Sequence, residues 1–269
     1  MTEGEQVSSA EKYFKGKQGL DCYLKHLEAS NYLQRVTIED NRVGRRLTEE
    51  FIAMCPENPI GYLNLGWIHQ QEYWLGITKS PRETIEKGIE LAQKALALDD
   101  SNAGAYALLS EFYSIKKEHD KAIAEGERAV ALAPSSAHAH QFYGLSLVYA
   151  CRPKEAIPLL EKAIRLNPFC STTPFLHYGH ALWGAGRFEE AVSAYKKSIQ
   201  LSPNNIFAHY NLAAVYIWMG RDKDARAEAA EVLRINPKFS LDWLAKAIAY
   251  KDQSVRDKLV DALRKAGLN

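Results

Sequence analysis

Apolar residues in this chain fall at helical spacing, and the helices they predict recur with a fixed period. Near the start Leu20, Tyr23, Leu24 and Leu27 share one face of a helix beginning near Leu20, and Ile38, Val43, Leu47, Phe51 and Ile52 stripe a second. At the far end Val255, Leu259 and Leu263 stripe a helix from about Gln253 to Ala266 with Gly267 as its stop, and a shorter partner is predicted from Ser240 to Tyr250. Between these ends Pro134, Pro168, Pro203 and Pro237 lie 34, 35 and 34 residues apart. They close one recurring phrase, Leu132-Ala133-Pro134, Leu166-Asn167-Pro168, Leu201-Ser202-Pro203 and Ile235-Asn236-Pro237. Twelve residues before each proline stands Ala122, Ala156, Ala191 or Ala225, and twelve further back Ser110, Gly144, Gly179 or Ala213. Small side chains at both places let two helices cross closely, so each period reads as a helical hairpin stacked on the next.

The hairpins are expected at 103–136, 137–171, 172–205 and 206–239, with Gly186 and Gly220 taking the left-handed conformation that ends the first helix of the last two. The extra residue of 137–171 falls near Cys170-Ser171-Thr172-Thr173-Pro174, a helix entry. A longer unit spans 59–102, its ten surplus residues lying around Trp74-Leu75-Gly76-Ile77-Thr78-Lys79. Ser80-Pro81-Arg82-Glu83 then restarts the helix with a capping serine and a glutamate reaching back. A degenerate unit occupies 25–58 with Gly44 at its small site, residues 1–19 form a polar lead, and 240–269 cap the array. Pro158 falls inside a helix, where it removes a backbone donor.

Composition narrows the function. Across 269 residues the 34 basic and 33 acidic side chains leave a net charge of +1 and alternate along helix faces, which argues against a nucleic-acid partner. No apolar run approaches the roughly 18 residues of a membrane span, and Met1 to Gly19 lacks the apolar stretch of an export signal, so no membrane partner and a cytoplasmic location are expected. Cys22, Cys55, Cys151 and Cys170 form no Cys-x-x-Cys pair and read as reduced structural thiols.

The small, aromatic, alanine and proline positions quoted above resemble the tetratricopeptide repeat over roughly 25–239. Ala92-Gln93-Lys94-Ala95-Leu96-Ala97-Leu98-Asp99, the stretch from Glu155 to Pro168, and Ala227 to Pro237 resemble the repeat region behind the catalytic domain of bacterial class III adenylate or guanylate cyclases. The resemblance implies an all-α, right-handed superhelical solenoid of about six hairpins with a capping helix. It also implies a bacterial regulatory or docking module, with the catalytic domain and its metal-binding aspartates absent from these residues.

In such a solenoid the first helix of each hairpin lines a concave groove, which would present Trp67, Glu111, His138, Gln141, Tyr149, His180, Trp183, Phe207, Tyr210 and Trp218, together with Gln70 and Gln71. Large rings bury area at low entropic cost, so the expected function is a non-catalytic scaffold gripping a partner segment with apolar anchors. The same rings also suit packing against neighbouring helices. Asn64 and Asn211 occupy clamp positions for a chaperone C-terminal carboxylate, but Ala29, Leu33, Leu176 and His180 stand where donors would be needed. His177 and His180, and His138 with His140, lack the further ligands of a metal site, and no cofactor is expected. No phosphate loop or nucleophile elbow appears, so no enzymatic activity is expected either. Tyr73-Trp74-Leu75 either extend a helix inward or form a self-association surface.

Overall fold

The computed structural model describes residues 12–14, 16–33, 37–168 and 172–269, and among these every regular element is an α-helix. Helices α1 (Gly16–Leu33) and α2 (Ile38–Met54) form the first hairpin, and α3 (Pro59–Trp74) and α4 (Pro81–Leu98) the second. Next come α5 (Ala103–Ile115) with α6 (His119–Leu132), and α7 (Ala137–Tyr149) with α8 (Pro153–Leu166). The last two hairpins are α9 (Thr173–Gly184) with α10 (Phe188–Leu201), and α11 (Ile206–Trp218) with α12 (Asp222–Ile235). Each second helix also packs on the first helix of the following hairpin, which is the solenoid expected from the period. A short α13 (Leu241–Ala247) follows, and α14 (Gln253–Ala266) lies against α11 and α12, covering the end of the stack.

Small residues stand where helices cross. A Cβ on Gly88 of α4 would come within 2.0 Å of the Phe112 ring tip, and one on Gly179 within 2.5 Å of the Tyr195 ring. Both rings are fully buried, so these crossings interlock a large side chain over a missing one. Ala122, Ala156, Ala191 and Ala225 are likewise completely enclosed.

Each hairpin from the second to the sixth turns through one left-handed residue: Gly76, Lys117, Cys151, Gly186 and Gly220, with φ between 60° and 79°. At Gly186 the amide donates to Trp183 O, and the next amide, Arg187, donates to Leu182 O, both at 2.9 Å, which satisfies two orphan carbonyls of α9. The same pair of bonds recurs at the other four turns. Lys117 and Cys151 adopt this conformation despite carrying a Cβ.

Two residues beyond the closing phrase, Asn58, Asn102, Ser136 and Asn205 cap the next first helix with side-chain oxygens that accept backbone amides. Six residues after four of the closing positions a ring stitches back to the closing carbonyl: Tyr62 to Pro56 O, Tyr106 to Asp100 O, His140 to Pro134 O and His209 to Pro203 O, all at 2.9–3.0 Å. The histidines donate through Nε2, so His140 is committed to the fold.

Several expectations are corrected. On α1 the stripe of Leu20 and Leu24 is more than half exposed, and Cys22, His26 and Ala29 face the core instead. Among the described residues the first hairpin packs against the second and against Phe14, and neither covers the leucine face. Ser80 stands at the start of α4 but makes no side-chain cap bond; Thr78 Oγ1 accepts the Ser80 amide instead. The helix predicted over 240–250 ends at Ala247, and Ile248 is extended. Cys22 and Cys55 form a disulfide with Cα atoms 6.3 Å apart, because the hairpin folds the first half of α1 back beside the end of α2. Pro158 does lie inside α8, which runs through it. Residues 1–11 of the polar lead, with Cys170 and Ser171, lie outside the described residues.

Candidate functional site: the inner wall

Helices α3, α5, α7, α9 and α11 touch in succession and form the inner wall of the solenoid. The ten candidate residues all project from these helices, and none of them is exposed. Glu111, Gln141, Tyr149, His180 and Tyr210 are buried, while Trp67, His138, Trp183, Phe207 and Trp218 are half-buried. The wall curves tightly enough for its rings to meet one another. Trp67 of α3 lies 4.6 Å from the His138 ring and 4.7 Å from the Phe142 ring on α7. Trp74 of α3 reaches Phe207 of α11 edge-on at 6.3 Å, and Trp183 lies 4.9 Å from Trp218. The wall therefore gathers the predicted residues, but it is not the open aromatic groove that the pattern suggested.

Part of the reason is that the chain fills its own wall. After α13 the backbone runs extended, and Ala247, Ile248, Ala249 and Tyr250 are all at least nine-tenths buried. Tyr73 of α3 donates its hydroxyl to Ala247 O at 3.3 Å, and the Lys251 amide donates to Tyr149 O of α7 at 2.8 Å. The Tyr250 ring packs edge-on against Tyr149 at 5.4 Å and Trp183 at 5.9 Å, and Lys251 Nζ stands 3.6 Å from Asp120 at the start of α6. Residues 247–251, termed here the inner strap, thus cross from the second hairpin to the fifth. They join two apolar clusters, Ala247 belonging to the N-terminal one and Ile248 to Tyr250 to the C-terminal one. Sequence reasoning missed the strap, although Ile248-Ala249-Tyr250 is an apolar triplet running on from α13.

Tyr73 and Trp74 also point inward. Trp74 Nε1 donates to Glu111 Oε1 at 2.9 Å, and Gln70 Nε2 donates to the same oxygen at 3.3 Å. These two rings are thereby taken up within the fold rather than offered to a second copy.

Glu111 is the one carboxylate at the heart of this wall, 2% exposed, and its Oε2 has no partner. Burial raises its pKa to about 7, only partly offset by the bonds from Trp74 and Gln70. Burial, with the charge of Glu111 added, pushes Tyr73 up to about 12 and Tyr149 well above the ordinary range. Along α7 and α9 burial drives the imidazoles the other way: His138 and His180 fall to about 3, and His177 lies well below its ordinary value. His180 Nδ1 is buried without a partner, of the kind that costs about 1–3 kcal/mol when left unpaired, and the buried Trp183 Nε1 and Tyr195 Oη have only an imperfect contact with each other. The wall around the strap is therefore polar, desolvated and under-satisfied. Asn64 and Asn211, the clamp positions, are engaged internally with His26 Nδ1 and Phe207 O. Among the described residues no group of three or more potential metal ligands converges, and no helix is long and apolar enough to cross a membrane.

Three family models described as tetratricopeptide repeat match residues 103–136, 144–206 and 182–247, together about half of the chain. The chain is a tetratricopeptide repeat protein. Among curated proteins this tetratricopeptide repeat chain is 22% identical over 170 residues to the DnaJ homolog subfamily C member 7 homolog of Schizosaccharomyces pombe, covering 56% of this chain and 36% of that one. It spans about a third of the length of the curated relatives it matches first. A 45-residue stretch, 17% of this chain and 8% of the other, is 44% identical to Putative adenylate cyclase 3 of Rhizobium meliloti. Among solved structures, pilF of Pseudomonas aeruginosa superposes with a TM-score of 0.54 at 18% identity, covering 85% of this chain and 97% of that one. That likeness supports the repeat solenoid as a fold.

Proposed function

We propose that this protein is a non-catalytic interaction scaffold whose inner wall takes an extended segment of a partner polypeptide, anchored by apolar side chains among Trp67, Trp183, Phe207 and Trp218. Tetratricopeptide repeat proteins act as scaffolds for other polypeptides, and the observation that carries the finer reading is the inner strap. An extended stretch of chain already lies on this wall, its backbone bonded to Tyr73 and Tyr149 and its tyrosine seated between rings. A preformed seat of this kind receives a segment with little reorganisation. Selection of displayed peptides against the full chain tests it. Selected peptides should lose at least tenfold in affinity for Phe207→Ala and for Trp183→Ala variants that keep their helical content, and unchanged affinity in both would remove the wall from the function.

A second reading, that these residues are the regulatory or docking module of a larger signalling enzyme such as a class III nucleotide cyclase, is favoured by the short match to a putative adenylate cyclase. Determining whether the reading frame continues upstream into a catalytic segment separates the two. The Cys22–Cys55 disulfide bears on location, because such bonds persist in oxidising compartments and are rare in a reducing cytoplasm.

A further inference from the structure

The strap is an odd occupant for the place it holds. Its backbone is bonded to the wall at Tyr73 and at Tyr149, and its side chains from Ala247 to Tyr250 bring three aliphatic groups and one ring to a surface rich in polar atoms. Two buried atoms of the wall stay unpaired, Glu111 Oε2 on α5 and His180 Nδ1 on α9, and Trp183 Nε1 on α9 has only an imperfect contact with Tyr195 Oη on α10. Trp183 touches the strap through Tyr250, and Tyr149, which clasps both Tyr250 and the Lys251 amide, lies within electrostatic reach of Glu111. Its only charged side chain, Lys251, ends at an exposed Asp120 outside the wall. The strap therefore covers the wall without satisfying it.

The strap's connections are also suited to release. It begins at the last residue of the seven-residue α13 and runs on without regular structure towards α14, and α14 is held independently on α11 and α12. Leaving the wall costs the strap two backbone bonds, the burial of Ala247, Ile248 and Ala249, and the seat of one tyrosine, all of which a partner segment of like sequence restores, while the six hairpins keep their own crossings.

We propose that the strap is an internal stand-in for a peptide ligand, and that a partner segment displaces it. This rests on the reading of the inner wall as a peptide-binding surface. The segment fitted to the wall is extended and carries an aliphatic and a small residue ahead of an aromatic one, in the order of Ile248-Ala249-Tyr250. It improves on the strap by offering an acceptor to Trp183 Nε1 and a donor to Glu111 Oε2. Displacement makes binding competitive with the chain's own residues, so partner affinity is set by the difference between two occupants of one seat.

A fluorescein-labelled peptide copying residues 245–253 provides the test, titrated by anisotropy against the full chain and against Tyr250→Ala and Lys251→Pro. The first variant empties the ring's seat, the second removes the amide bonded to Tyr149, and circular dichroism checks that each keeps its helical content. Because the two changes are independent, failure of one to fold leaves the other decisive. Either folded variant should bind the peptide at least tenfold more tightly than the natural chain does, and a peptide with alanine in place of its tyrosine should lose that gain. Equal binding by the natural chain and the variants, or none by either variant, overturns the displacement. A variant that doubles in mass and ignores the peptide assigns the wall to a second copy and overturns the partner assigned here. If displayed peptides still bind through Phe207 and Trp183 while the copied peptide binds neither variant, only the stand-in role falls and the scaffold reading survives.

Discussion

Replacing Glu111 by glutamine should abolish the pH dependence that this side chain imposes on stability. Its carboxyl is 2% exposed, receives hydrogen bonds on one oxygen from Trp74 and Gln70, and leaves the other unpaired. In the unfolded chain it ionises near 4.5, and in the fold near 7. A folded acid with a raised pKa binds more protons than the unfolded one between those values, so its contribution is complete below about pH 4.5 and is lost as pH rises through about 7. At 1.36 kcal/mol per pH unit the whole loss is about 3 kcal/mol, most of it falling between pH 5 and pH 8.5. Glutamine keeps the size and the acceptor for Trp74 and Gln70 but cannot ionise. Urea unfolding of both proteins at pH 5 and pH 8.5 isolates the effect, since every other titrating group is shared. The variant should gain at least ~2 kcal/mol on the wild type over that interval. Parallel pH profiles would refute the burial of an ionisable carboxylate at this wall.

The buried imidazoles predict the opposite trend in acid. His26, His138, His177 and His180 are all depressed by burial, so the stability they support is present above about pH 6.5 and lost as pH falls, and the thermal midpoint should drop steeply between pH 6.5 and 4 but less so in His180→Phe. At the turns, Lys117→Gly and Cys151→Gly should each stabilise the chain by roughly 0.5–1 kcal/mol in urea titration, because both residues hold a left-handed conformation that glycine adopts without a Cβ clash. Reducing the Cys22–Cys55 bond, which closes a loop of 33 residues' separation, should lower stability by at most about 4 kcal/mol and speed amide exchange in α1 and α2 while leaving α9 to α12 protected. Uniform loss of protection along the chain would show that the hairpins are coupled beyond nearest neighbours.

Much of the fold was legible in the residues because each hairpin repeats the same local solution. The spacing of Ala156 from Pro168, or of Gly179 from Ala191, reports a crossing between adjacent helices, and Gly186 and Gly220 mark turns that only a left-handed residue completes. Helix α14 also lies where its stripe predicts, from Gln253 to Ala266 with Gly267 left-handed after it. The recurring caps Asn58, Asn102, Ser136 and Asn205, and the rings that reach back to the closing carbonyls, were present in the pattern two and six residues beyond Pro56, Asp100, Pro134 and Pro203, though spacing of small residues alone does not reveal them.

By itself the sequence determined the period, the all-helical stack and the set of rings lining one side of it, since these depend on contacts between neighbouring hairpins. Only the tertiary structure decided how far the stack curves, and hence that Trp74 meets Phe207 and that Ala247 returns to Tyr73 across 174 positions. Curvature is the sum of small rotations over many crossings, and no local pattern records that sum. The same holds at the first hairpin, where contacts with the second hairpin and with Phe14 decide which face of α1 is buried, and at the inner wall, where the chain's own strap came to rest on the surface its rings had made.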